Sequence, residues 1–217
     1  MNDNYSDILI ERIKKVLGNV PSRDKISIHE PDFSNSNAKK YLDSCINTGW
    51  VSTAGAWVTK FEDYISKYTG AEYAVAVVNG TVALRLSLFC LGVKQNDEVL
   101  MPPLSFVATA NSVSHLGAFP HFVDIEPETL GMCPEALEKR LSEIATLRDG
   151  KVYNKKTGRV IRAVLPVHVF GLVAKISKIK QVCDKWNLPI VEDAAEALGS
   201  FTKIRSNLIH AGLIGNI

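Results

Sequence analysis

The sequence predicts an α/β fold of three layers, with a mostly parallel sheet between two layers of helices. Short apolar runs recur without polar alternation, as strands buried on both faces do. Segments of helical period separate them, giving repeated βα units with right-handed crossovers. Small, polar or acidic residues follow the runs, at the strand ends where such sheets bind ligands.

In chain order, Tyr5, Ile8, Leu9, Ile13, Val16 and Leu17 share one face of an amphipathic helix. Pro21 to Asn37, rich in Pro, Ser and Asn, reads as an extended arm, so residues 1–37 form an N-terminal helix and arm and 38–217 the α/β domain. Helices are expected over Ala38 to Ile46 and over Val58 to Tyr68, the second stopped by Gly70. Strand and helix then alternate: strand Ala74 to Val78, helix Thr81 to Leu91, strand Glu98 to Met101, helix Phe106 to His115, strand Phe119 to Asp124. Next come helix Pro134 to Ile144, a polar hairpin over Lys151 to Arg159, strand Arg162 to Val167, a helix with Ile176, Ile179, Val182, Cys183 and Trp186 inward, and strand Pro189 to Asp193.

Composition removes several functional classes. The 217 residues are 46% hydrophobic and 22% charged, which is enough for one α/β domain with a sizeable core. Net charge is +2 with the basic residues dispersed, so no nucleic-acid partner is expected. No apolar run reaches membrane-spanning length and the start lacks the basic and apolar regions of a signal peptide. Cys45, Cys90, Cys133 and Cys183 are scattered without metal-ligand spacing. A cytoplasmic protein with reduced thiols, no bound metal and no membrane contact is the expectation.

The candidate site residues lie just after the apolar runs. Asn79-Gly80-Thr81 opens a helix, where free N–H groups, the positive dipole end and the Thr81 hydroxyl suit an anion. A tight turn with an N-cap is the alternative. Phe106 stands where an aromatic could lie on a planar ring, or could pack in the core. His168 either contacts a ligand or satisfies a backbone group. Asp193 and Glu196, with Glu192, end the last strand, where an unpaired carboxylate is costly and a cation is wanted. A protonated pyridine nitrogen is one such cation. Acids attracted by a helix dipole are the other reading. Glu192 alternates away from Asp193 and is assigned to structure. Anion site, aromatic and carboxylate converge on one sheet edge in the order a phosphorylated pyridine needs.

Segments in a fixed order carry a resemblance: Gly49-Trp50-Val51-Ser52-Thr53-Ala54-Gly55, Phe61-Glu62, Val78 to Leu84, Ser105 to Thr109, Phe122 to Ile125, Val167 to Gly171 and Glu192 to Gly199. The sequence resembles the DegT/StrS-type nucleotide-sugar aminotransferases, which have fold type I of the pyridoxal-phosphate enzymes. The resemblance implies pyridoxal 5'-phosphate as cofactor, with Gly80 and Thr81 on its phosphate, Phe106 on its ring, Asp193 on its ring nitrogen and Glu196 near its ring hydroxyl. His168 is placed near the cofactor without a defined role, and Ser52 and Thr53 near the substrate sugar. It also implies a nucleotide-linked 4-keto-6-deoxy sugar substrate, glutamate as amino donor, a homodimer, and a place in legionaminic-acid or bacillosamine-type glycan biosynthesis. The pattern departs after Phe201. Lys203 is the last lysine and stands in a hairpin segment, so it is not assigned catalysis, and the lysine that would hold the cofactor covalently is expected beyond Ile217. The small C-terminal domain of the family is then absent too, and this chain alone is expected to be inactive. A sugar dehydratase of the same fold, a non-catalytic remnant and a plain nucleotide-binding module are the competing readings.

Overall fold

The computed structural model describes residues 3–17, 31 and 33–217. It divides into two compact units, Met1–Ser52 and Thr53–Ile217. The first holds α1 (Asp3–Leu17) and α2 (Ala38–Thr48), the latter ended by Gly49 in a left-handed conformation. Most of the expected extended arm lies outside the described residues.

The second unit contains the sheet. It begins with α3 (Ala56–Thr69), stopped by Gly70 at φ 86°. Then follow α4 (Gly80–Cys90), β1 (Glu98–Met101), α5 (Val107–Ser114), β2 (Phe119–Phe122) and α6 (Pro134–Ile144). β3 (Ala145–Arg148), β4 (Lys151–Asn154), β5 (Val160–Val164), α7 (Ile176–Trp186), β6 (Phe201–Ile204) and β7 (Asn207–His210) complete it. The main sheet has the order β2-β1-β5-β4-β3. β1 runs parallel to both β2 and β5, whereas β4 is antiparallel to β5 and to β3. β6 and β7 form a separate hairpin.

All four residues of β1 are buried. Because side chains alternate across a sheet, its two faces build two cores. Leu100 joins Leu137, Leu141 and Ile144 of α6 and Ile176, Ile179 and Val182 of α7. Val99 and Met101 face the other way and join Leu84 and Leu88 of α4 and Val113 of α5. The three expected layers are therefore present, with α4 and α5 on one side and α6 and α7 on the other.

Three elements differ from expectation. Lys151 to Arg159 is more than an inserted hairpin, because β4 pairs on both sides and extends the sheet. The last core strand, Pro189 to Asp193, is paired only by two parallel bridges, Val164 with Ile190 and Val167 with Asp193. Pro166 lies between them on the partner segment and has no N–H to continue the ladder. Ala74 to Val78 is not a strand. No described segment pairs with it, and Val75 and Val78 are 78% and 82% exposed. A strand needs a neighbour to accept its ladder, and apolar character alone does not supply one. Among the described residues it is anchored by the Glu62 carboxylate of α3, which accepts the Ala76 N–H at 2.8 Å. Of the cysteines, Cys90 is exposed and Cys183 is buried, and burial pushes the Cys183 thiol up to about 12.

Candidate active site

Four segments end at one cavity of about 500 Å³, within the range of small-molecule sites. They are Asn79–Thr81 at the start of α4, Leu104–Phe106 after β1, Val167–Phe170 after β5, and Asp193 to Glu196 after the bridged segment. All except the first follow the carboxyl ends of parallel strands, as the fold requires. Gly80, Thr81, Phe106, His168, Asp193 and Glu196 are thus brought together. Ser52 and Thr53 are not among the lining residues; both are exposed, one ending the first compact unit and the other beginning the second.

The α4 terminus is arranged as an anion site. Asn79 is extended and its Oδ1 accepts the Val82 N–H at 2.9 Å, capping the helix. The N–H groups of Gly80 and Thr81 come before any possible intrahelical carbonyl and remain for a ligand. A Cβ added to Gly80 would meet no protein atom within 4 Å. The protein's own packing therefore does not demand glycine there, whereas close approach by a ligand would.

Phe106 precedes α5 and is 75% exposed. Core packing, the alternative for this residue, is excluded. Phe170 is a second aromatic on the cavity wall that sequence reasoning passed over. It has φ 56°, unusual for a bulky residue, and its N–H donates to Glu196 Oε2 at 2.6 Å. The Glu196 carboxylate thus holds the turn that aims Phe170. Left-handed geometry of this kind has no signature in a single sequence.

The neighbouring acids Glu192 and Asp193 diverge, as strand alternation predicts. A carboxylate offers about four acceptor positions. Glu192 fills all of them, taking the N–H groups of Ile214 (2.6 Å), Gly215 and Gly212 (3.1 Å) and Nε2 of His168 (2.9 Å). Burial pushes its pKa up, but the His168 bond and the Gly215 N–H outweigh that and hold it below the ordinary 4.5. His168 is fully buried and its Nδ1 accepts the Ala174 N–H at 3.1 Å, leaving Nε2 to carry the hydrogen given to Glu192. Both ring nitrogens are thus used by the protein, so His168 lines the cavity without a free donor or acceptor.

Asp193 is 7% exposed and has two donors among the described residues. The Thr109 hydroxyl reaches Oδ2 at 2.6 Å, and the Ala195 N–H reaches Oδ1 at a longer 3.3 Å. About two acceptor positions stay open on a nearly buried carboxylate beside a cavity, which is where a cationic N–H donor is wanted. No helix follows Asp193, so a helix dipole does not explain the acid. Anion site, exposed aromatic and open carboxylate together fit a phosphorylated, protonated pyridine.

Fold and cavity define a class: a three-layer α/β domain with its ligand site at the carboxyl edge of the sheet. The chain belongs to the DegT/DnrJ/EryC1/StrS aminotransferase family, whose model matches residues 33–207. Family members are pyridoxal-phosphate enzymes. The chain is 36% identical over 175 residues to GDP-perosamine synthase of Vibrio cholerae, covering 81% of this chain and 43% of that protein. It is also 36% identical over 149 residues to UDP-2-acetamido-2-deoxy-3-oxo-D-glucuronate aminotransferase of Pseudomonas aeruginosa, covering 69% of this chain and 37% of that one. Among solved structures it resembles NtdA from Bacillus subtilis with bound cofactor PMP, with a TM-score of 0.64 and 27% identity over 88% of this chain and 44% of that one. The chain spans less than half the length of these relatives.

Proposed function

We propose that this chain supplies the cofactor cavity of a pyridoxal-phosphate nucleotide-sugar aminotransferase. The observation that carries the reading is the meeting of the α4 N-terminus, an exposed Phe106 and an under-filled Asp193 carboxylate in one cavity. Gly80 and Thr81 bind the phosphate through N–H groups and the Thr81 hydroxyl. Phe106 takes the ring face, Asp193 accepts a hydrogen bond from the protonated ring nitrogen and keeps the proton on the ring, and Glu196 stands toward the ring hydroxyl while keeping Phe170 in place. When bound, the cofactor supplies an electron-withdrawing pyridinium that stabilises negative charge on the reacting carbon. Asp193 sustains that by remaining an acceptor against the ring N–H.

The substrate is a nucleotide-linked 4-keto-6-deoxy sugar and the amino donor glutamate, with Ser52 and Thr53 approaching the sugar and two copies forming the active dimer. The relatives' names support a nucleotide sugar. The nucleotide differs between those names and only the second states a keto position, 3-oxo, so the 4-keto assignment rests on the sequence resemblance.

Titration with pyridoxamine phosphate, followed by ligand fluorescence, tests the cavity without dependence on a lysine. Binding to the 217-residue chain is expected, with inorganic phosphate competing. Loss of one charge-assisted bond in Asp193→Asn should weaken it by about tenfold. Absence of binding, or binding by Asp193→Asn and Phe106→Ala as tight as by the unsubstituted chain, would overturn the proposal.

A further inference from the structure

Thr109 stands in the first turn of α5, three residues after Phe106, and is fully buried. A threonine in a helix commonly turns its hydroxyl back to a carbonyl of the preceding turn. Here the hydroxyl leaves its own helix and donates to Asp193 Oδ2, 84 residues away, at 2.6 Å. The Thr109 backbone is fixed independently, its N–H donating to the Phe106 carbonyl at 3.1 Å and its carbonyl accepting the Ser112 hydroxyl at 2.7 Å. One helical turn therefore carries both the aromatic of the cavity and the support of its carboxylate.

A hydroxyl has a single hydrogen, and this one is committed to Asp193. The donation occupies one acceptor position on Oδ2 and fixes the carboxylate plane. The long bond from Ala195 could not do this alone. We propose that Thr109 is a positioning residue, whose hydroxyl orients the Asp193 carboxylate so that its open acceptor positions receive the protonated nitrogen of a pyridine ring. The role rests on the cavity being the cofactor site and goes beyond it by naming what makes Asp193 competent.

The test compares two ligands, pyridoxamine phosphate and its 1-deaza analogue, in which C–H replaces the ring nitrogen. Thr109→Val should weaken pyridoxamine phosphate by about tenfold, the size of one hydrogen bond to a charged group. It should leave the deaza analogue within about twofold, because that ligand makes no bond to Asp193. Thr109→Ser, which keeps the hydroxyl, should bind both ligands as the unsubstituted chain does. If Thr109→Val does not fold, Thr109→Ala against Thr109→Ser gives the same comparison, with melting temperatures recorded for each. Equal weakening of both ligands, no weakening of either, or failure of serine to restore binding overturns the role of Thr109. Pyridoxamine phosphate binding that is lost in Asp193→Asn but untouched in the Thr109 variants removes only Thr109. No binding by the unsubstituted chain removes the cofactor reading and this role with it.

Discussion

The two ends of the same sheet both bury acids, and at the carboxyl end Asp193 stands apart from the rest. At the amino end, Glu98 of β1 accepts from His121 Nδ1 at 2.8 Å, Asn154 Nδ2 at 2.9 Å and the Thr157 hydroxyl at 2.6 Å, with an Arg159 guanidinium nitrogen 3.9 Å away. Its neighbour Asp97 is held by Arg162 Nε at 2.9 Å and the Lys94 N–H at 3.0 Å. His121 is itself fixed, since its Nε2 accepts from Arg140 Nε at 2.9 Å. At the carboxyl end, Asp193 keeps two acceptor positions open beside a cavity. A saturated acid ties elements together; an unsaturated acid waits for a ligand. Asp97 and Asp193 each have two donors, so what separates them is that Asp97 is paired with a guanidinium, whereas Asp193 has no cationic partner among the described residues and faces a cavity.

Breaking the saturated end should have the largest effect. Glu98→Ala strips the shared acceptor from His121, Asn154 and Thr157 and so loosens β2, the β4 turn and β1 together. Removing one member of a buried charged cluster costs about 3 kcal/mol. Urea unfolding should show that loss, while the affinity for pyridoxamine phosphate per folded molecule stays within about twofold. Asp193→Asn should do the reverse, changing stability by less than about 1 kcal/mol while affinity falls. Equal stability losses in the two variants would erase the contrast.

Acid titration sharpens it next. Burial raises the pKa of Glu98, yet the bonds from Thr157, Asn154 and His121 bring it below 4.5, and Glu192 is lowered in the same direction. A carboxylate whose folded pKa lies below its unfolded value stabilises the fold fully above the unfolded value, and that stability is lost as pH falls through the folded one. Stability should therefore drop on acidification below about 4.5. Glu98→Gln and Glu192→Gln start less stable but should lose less over that window, read as unfolding free energy against pH. An acid limb as steep as in the unsubstituted chain would show that these two carboxylates do not set it.

The same contrast explains what was legible beforehand. The layers were readable because apolar runs such as Val99, Leu100 and Met101 need cover on both faces, and helix faces such as Ile176, Ile179 and Val182 provide it. Phe106 and Asp193 were readable as cavity residues because the fold places ligands just after its strands, whereas Gly80 and Thr81 were readable as a helix start, although the run before them forms no strand. Glu192 was separable from Asp193 by alternation alone. Long-range partners were not readable. Nothing in the sequence pairs Thr109 with Asp193 or Glu196 with Phe170, since both bonds form only when distant segments meet. The strand expected at Ala74 to Val78 failed for the same reason, because a strand is defined by its neighbour.

The smallest effect concerns the cavity wall. Phe170 is 72% exposed yet held at φ 56°, with its N–H on Glu196. Left-handed backbone costs a residue with a Cβ about 1 kcal/mol, whereas glycine adopts it freely. So exposed a ring recovers little of that by burial, and strain of this kind persists where surrounding structure over-determines it. Phe170→Gly should therefore be more stable than Phe170→Ala by about 1 kcal/mol in thermal unfolding. Both variants lose the aromatic wall, so they should bind pyridoxamine phosphate alike, and a difference in affinity would mean that the backbone conformation shapes the cavity as well. Removing the Glu196 carboxylate with Glu196→Ala should shrink the glycine advantage, because the turn is then free to leave the left-handed region. Were the advantage to persist undiminished, Glu196 would not be what holds Phe170 there, and its carboxylate would be left to serve the cavity alone.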